Sequence, residues 1–382
     1  MNIVVATDKF KGSLGSIAAC NAIEKGLLHA AANFHIQKLP LSDGGDGLIE
    51  VVSQYRITKK IIVSVAGPLF WPVEAAYLVS EDGRTAFIEM AQASGLALLK
   101  PTEYDPLHTT TFGTGQLIKE AIQQGVSKII LGIGGSATND GGTGMAAALG
   151  YRFLDAAGNE LQPVGENLER ICTIDAAAKT DLKNVVIEAA TDVTNLLTGD
   201  AGAAKIYGAQ KGATPAVIQQ LENGMQHFAA LAKKQRGIDA TTIKGGGAAG
   251  GLGAGCVLFL NAKLISGVQL LLQYSNAEKF IAKANLVITG EGRLDAQTAQ
   301  GKAVSGVVAL SKKYGKPVVA LCGAVDVDLK HVYESGLTAA FSIVPGPTTL
   351  EAAMQQTEKL LEDAAFNVGN FFKSACRFTK DR

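Results

Sequence analysis

Short apolar runs that each break into a polar, glycine-bearing loop constrain this chain more than any other feature. Residues 2–6, 35–41, 128–131, 185–190 and 285–289 read as buried strands. They run into Asp8 to Ser13, Ser42 to Gly47, Gly134 to Gly142, Thr191 to Asn195 and Gly290 to Asp295. Helical patterns follow several of these loops, which is the alternation of a parallel α/β sheet. Ligands of such sheets bind at the carboxyl ends of strands. One polar loop of this kind is common in any α/β protein; five in one chain point to a shared cleft.

The densest of the five is Gly134-Gly135-Ser136-Ala137-Thr138-Asn139-Asp140-Gly141-Gly142. It joins the strand ending at Leu131 to a helix starting near Met145. Glycine lets backbone approach a ligand closely, and amide N–H groups at a helix start attract anions. The loop therefore suits a phosphate- or carboxylate-bearing small molecule, with a purely structural turn as the alternative.

Ser13 reads as the N-cap of a helix from Leu14 to about Ala32, and a short helix ends near Tyr55. From about residue 60 the texture changes. Residues 61–65, 73–79 and 85–91 are strands separated by short turns, so antiparallel pairing is expected. Helices are expected over 114–124, ended by Gly125, and from Pro215 to about Lys233. Clean alternation returns near 284, with strands at 285–289, 317–322 and 338–344 and helices at 303–314 and from Leu350 to about Phe366. The organisation read from this is one α/β domain built from both chain ends, residues 1–65 and 284–382, interrupted by an inserted mixed α/β domain, 66–283.

The 382 residues are 47% apolar and 18% charged, enough to build large cores. A formal net charge of zero gives no electrostatic reason to expect nucleic acid or an acidic membrane as partner. Five scattered cysteines without a CxxC fit free thiols in a reducing compartment. No signal peptide and no run near the ~20 apolar residues of a membrane span is visible, so a cytoplasmic protein is expected. Walker A, GxSxG, HExxH and, after the first strand, GxGxxG patterns are all missing. His108 to Thr114 is hydroxyl-rich and reads first as loop and N-cap material.

The five loops can still do chemistry. Asp43 and Asp46, three apart at an expected helix start, would share a side and suit a divalent cation, magnesium in particular; Asp43 as a simple N-cap is compatible with this. Lys9, Lys11 and Ser13 could grip an anion. Arg293 could clamp a carboxylate or phosphate, or pair locally with Glu291 or Asp295. Asp192, at a strand end, could take a proton from a substrate hydroxyl, or simply form a turn. Acids, cations and glycine loops without hydrolase or dehydrogenase signatures suit phosphoryl transfer.

The same residues resemble a known family. Ala6-Thr7-Asp8-Lys9-Phe10-Lys11-Gly12-Ser13, Pro40 to Gly47, Gly134 to Gly142, Ala190-Thr191-Asp192-Val193 and Thr289 to Asp295 are similar to the motifs of the bacterial two-domain glycerate kinases, in order, from residue 2 to about 325. The resemblance implies an ATP-dependent, magnesium-using kinase of D-glycerate, usually linked to 2-phosphoglycerate formation in glycolate, glyoxylate or glucarate breakdown. It also implies a flavodoxin-like domain from both ends and an insert likened to restriction endonucleases. For a site taking glycerate and ATP, we assign Asp192 as the first-choice base and Lys9, Lys11 or Arg293 as candidates for the glycerate carboxylate. Gly134, Gly135, Ser136, Asn139 and Asp140, with the Asp43/Asp46 metal pair, are candidates for the triphosphate, while Ser136 and Asn139 suit glycerate equally well. Gly290, Glu291 and Asp295 complete the expected binding set. Other readings are 3-phosphate formation, another small hydroxyacid, or a glycerate or nucleotide sensor without turnover. The glycine loop is expected to face Lys9, Asp43 and Arg293 across a cleft.

Overall fold

The structure, a computed structural model, describes residues 1–295, 303–326 and 329–378. The chain forms two compact units: 1–43, 50–55 and 268–382 make the first, and 44–49 with 56–267 the second. The Thr58–Ala66 strand belongs to the second unit, where it pairs along its whole length with Pro72–Ser80, and the chain returns to the first unit at residue 268.

The first unit holds a five-stranded sheet in the order His35–Lys38, Asn2–Thr7, Leu286–Gly290, Val318–Cys322, Ala339–Ser342, every pair parallel. Counted along this unit the order is 2-1-3-4-5, which is doubly wound. The three central strands are buried on both faces, as their unbroken apolar runs require. Register is set by pairs such as Ile3 with Leu286 and Thr7 with Gly290. Ser16–Ala30 packs against Thr357–Phe378 over a core containing Ile23, Leu27, Ile288, Leu321 and Leu361. Gly26 sets how closely those helices approach: a Cβ there would lie 2.1 Å from the Glu362 carbonyl oxygen.

Local differences from the expectations have simple causes. The first helix starts at Ser16 behind Gly15, so Ser13 does not cap it. Ser13 instead donates to the Met354 carbonyl at 2.5 Å and bonds Thr357 Oγ1 at 2.7 Å. The second helix starts at Leu48, beyond both Asp43 and Asp46, because Gly44 and Gly47 hold φ of 81° and 93°. The pair is therefore not aligned by a helix start. The last helical stretch splits into Leu350–Gln355 and Thr357–Phe378 and runs past Phe366.

The second unit is a six-stranded mixed sheet: Lys263–Ile265, Val186–Ala190, Lys128–Gly132, Thr85–Glu89, Pro72–Ser80, Thr58–Ala66. The first four run parallel, and the last two add antiparallel, as the short turns predict. Phe112–Gln123, Thr143–Ala148, Pro215–Arg236 and Leu252–Leu260 are among its helices, and Tyr77, Ile88, Leu131, Met145, Phe228 and Phe259 lie in its core. No helix among the described residues is long and apolar enough to cross a membrane.

Candidate active site

In a 2-1-3-4-5 sheet the strand order reverses between strands one and three, and the crevice outside their carboxyl ends is the natural binding place. Here those strands are Asn2–Thr7 and Leu286–Gly290. Asp8 and Lys9 follow the first and Glu291 the second. Asp8 is only 7% exposed. The Lys9 backbone N–H donates to Asp8 Oδ1 at 2.7 Å, and Lys9 Nζ donates to Asp43 Oδ1 at 3.3 Å. Burial, and then the charge of Asp43, push the Asp8 carboxyl well above its usual range; Lys9 opposes this and Glu291 adds to it. The buried hydroxyls of Ser42 and Thr289 find no partner among the described residues.

Around Asp8 the charges of Asp43 and Glu291 oppose its ionised form and Lys9 favours it, a local excess of negative charge that a bound cation would offset. No group of three or more candidate ligands with metal-holding geometry occurs among the described residues, but magnesium asks for only one or two carboxylates and takes its other ligands from phosphate and water.

Other expected residues of the first unit are engaged differently. Lys11 is exposed. Gly290 serves the sheet, since a Cβ would meet the Leu321 carbonyl oxygen at 2.1 Å. Arg293, on a two-residue strand beside Ala324–Val325, pairs with Asp326 at 2.9 Å. Asp295 is half-buried just after that strand.

In the second unit, the Gly44-Gly45-Asp46 segment lies directly against the glycine loop. A Cβ on Gly134 would stand 2.5 Å from the Gly45 Cα, and one on Gly135 2.1 Å from Asp46 Oδ1. Gly135 also has φ of 77°. These two glycines let loop pack on loop, which is a structural reason for them beyond any ligand.

Asp140 is fully buried and committed to its own loop. Its carboxylate accepts from Thr111 N and Thr111 Oγ1, both at 2.7 Å, from Gly142 N at 3.0 Å and from Gly144 N at 3.1 Å. Burial raises its carboxyl and those four donors pull it back. Thr111 Oγ1 also accepts from Met145 N at 2.8 Å. Asp140 and the buried threonines thus fix the start of the Thr143–Ala148 helix. Asn139 differs: it is fully buried, and neither amide atom finds a partner among the described residues. Asp192, half-buried after the Val186–Ala190 strand, accepts from Ser266 Oγ at 2.5 Å.

Two residues escape sequence reasoning. Asp8 belongs to a motif, but nothing in its neighbours signals its burial. Lys211 sits in a short turn, Ala209–Lys211, with no motif around it, yet it is 2% exposed. Its ammonium donates to Ser136 Oγ at 2.7 Å and to the Thr138 carbonyl at 2.6 Å. Burial pulls it down from 10.5 to about 7, against the opposing charge of Asp140.

Strand-end carboxyls with a lysine in one unit, and in the other a glycine loop braced by a buried cation, make this an α/β enzyme equipped for charged small molecules. The chain belongs to the glycerate kinase family, whose model matches residues 3–373. It is 46% identical over 368 residues to a glycerate kinase of Halalkalibacterium halodurans, covering 96% of this chain and 97% of that one. To the glycerate 2-kinase of Escherichia coli it is 44% identical, covering 93% of both. A solved structure assigned to glycerate kinase 2 of Salmonella typhimurium superimposes with a TM-score of 0.81 at 42% identity, over 99% of each chain. The protein is a kinase of this family.

Proposed function

We propose that the protein phosphorylates D-glycerate at its 2-hydroxyl with ATP, in the breakdown of glycolate, glyoxylate or glucarate in the cytoplasm. The observation that carries this reading is the end-to-end match to the glycerate kinase family together with the Escherichia coli glycerate 2-kinase relative. The strand order supports a flavodoxin-like first unit, and we read the second as the restriction-endonuclease-like insert.

Asp43 and Asp46 are proposed as the magnesium carboxylates, with Asp8 beside Asp43. Bound magnesium would neutralise charge on the triphosphate. Lys9, Lys11 and Arg293 are the proposed cations for glycerate or phosphate, and exchange of Asp326 for a substrate carboxylate would free Arg293 for a bidentate grip. Ser13, held by Met354 and Thr357, keeps a shaping role in this reading. Gly134, Gly135, Ser136 and Asn139 line the proposed anion-binding loop, with Asp140 as its brace; Gly290, Glu291 and Asp295 border the Lys9 side. The glycerate 2-hydroxyl oxygen attacks the γ-phosphorus, the bond to the β,γ-bridging oxygen breaks, and ADP leaves. The hydroxyl proton passes to Asp192, whose Oδ1 is held by Ser266.

Purified protein incubated with D-glycerate, ATP and magnesium should yield 2-phosphoglycerate by phosphorus NMR. Absence of any phosphoglycerate overturns the kinase reading; a 3-phosphate product overturns the regiochemistry alone.

A further inference from the structure

Lys211 is a buried lysine held against the glycine loop. A lysine ammonium can only donate. While Lys211 is protonated, Ser136 Oγ, 2.7 Å away, accepts from it, which commits a lone pair and leaves the serine hydrogen to point elsewhere. Ser136 Oγ makes no other hydrogen bond among the described residues, and Ser136 keeps 7% of its surface. The Thr138 carbonyl takes a second ammonium proton at 2.6 Å, so the ammonium is held at two points of one loop.

The surroundings are polar and unfinished. Asn139 Oδ1, Asn139 Nδ2 and Thr138 Oγ1 are buried and find no partner among the described residues. Unmade bonds at buried polar atoms cost roughly 1–3 kcal/mol each, so a chain that keeps several within one loop is expected to complete them with something it binds. The charged group nearest in effect to Lys211 is Asp140, and its carboxylate is already taken by four donors. The positive charge at this loop is thus not consumed by an ion pair of its own.

We propose that Ser136 donates its hydroxyl hydrogen to an anionic oxygen of a substrate, and that Lys211 is the positioning residue behind it. The Asn139 amide supplies further polar contact to the same group. The ammonium fixes which way the hydroxyl points and polarises its O–H bond, so the donor presented is stronger than an isolated serine. The ligand chemistry is an oxyanion, a carboxylate or a phosphoryl group, and the inference rests on the kinase reading given above.

The test compares wild type, Ser136→Ala, Lys211→Met and the double variant with D-glycerate, ATP and magnesium. Each single change should lower kcat/KM by about 10- to 100-fold, the loss expected for a charge-assisted donor. The double variant should lose no more than the weaker single variant, because the lysine acts through the serine. A rise confined to the glycerate KM identifies the carboxylate; a rise in the ATP KM or a fall in kcat identifies a phosphoryl group. Either supports the proposal. Losses that multiply in the double variant overturn it, as does wild-type kcat/KM in either single variant. Should Lys211→Met fail to fold, Ser136→Ala alone decides, with an unchanged kcat/KM again overturning it. An inert wild type overturns the kinase reading and this inference together, whereas an active wild type with unaffected variants removes only the inference.

Discussion

Replacing Lys211 by methionine separates the cost of the buried charge from the worth of its hydrogen bonds. The ammonium is pulled from 10.5 to about 7 by burial. A shift of that size corresponds to about 5 kcal/mol between the protonated and neutral forms. Methionine has similar length and no charge, so it removes that cost. It also strands the Thr138 carbonyl and takes a partner from Ser136, which returns roughly 1–3 kcal/mol. At pH 6 the variant should therefore be more stable than wild type by about 2–4 kcal/mol. The difference should then shrink with pH. An unfolded lysine keeps its proton to about 10.5, while the folded one releases it from about 7. The unfolded state binds more protons in that window, so wild-type stability rises with pH there, by roughly 2–3 kcal/mol between pH 7 and 9. The methionine variant lacks this rise. Urea unfolding of both proteins at pH 6, 7, 8 and 9 measures it, since every other titrating group is common to the pair. A difference that stays constant across the series would refute the claim that Lys211 sits charged in a dry site.

Asp192→Asn should lower kcat by at least ~100-fold, the low end for loss of a general base, while circular dichroism stays native; retained turnover would leave Asp192 as a turn residue. Asp43→Asn should raise the magnesium concentration giving half-maximal rate, and an unchanged requirement would remove Asp43 from the metal site. Thr111→Ala deletes one donor to the buried Asp140 and the acceptor of the Met145 N–H. It should cost about 2–3 kcal/mol in denaturant unfolding, and a loss under 0.5 kcal/mol would show that the Asp140 network is not what fixes the loop.

The sheets were legible where burial on both faces writes itself as an unbroken apolar run. Asn2–Thr7, Leu286–Gly290 and Val318–Cys322 are of this kind. The antiparallel Thr58–Ala66 and Pro72–Ser80 pair was legible from its short turn. Partners distant in sequence were not. Nothing near Asp140 says that Thr111 will hold its carboxylate, and nothing near Arg293 points to Asp326. Ser13 looked like a cap because a hydroxyl preceded a helical pattern, but its partners, Met354 and Thr357, come from the far end of the chain. The spacing of Asp43 and Asp46 suggested a shared helix start, but glycines at 44 and 47 delay that helix to Leu48. Lys211 carried no signal, since one lysine in a polar turn is ordinarily solvated and its burial depends on where the glycine loop lies.

The adjacency of Asn2–Thr7 and Leu286–Gly290 in one sheet has a consequence for biosynthesis. The first strand leaves the ribosome long before its central neighbour exists. At about 5–20 residues per second, the 283 residues from Thr7 to Gly290 take on the order of 15–60 s. Over that interval the nascent amino-terminal segment has only His35–Lys38 beside it in the sheet. The residues 56–267, by contrast, emerge as one nearly continuous run. Translation therefore imposes an order: the middle of the polypeptide can mature first, and the earliest-made strand must wait, shielded or chaperoned, for its central neighbour.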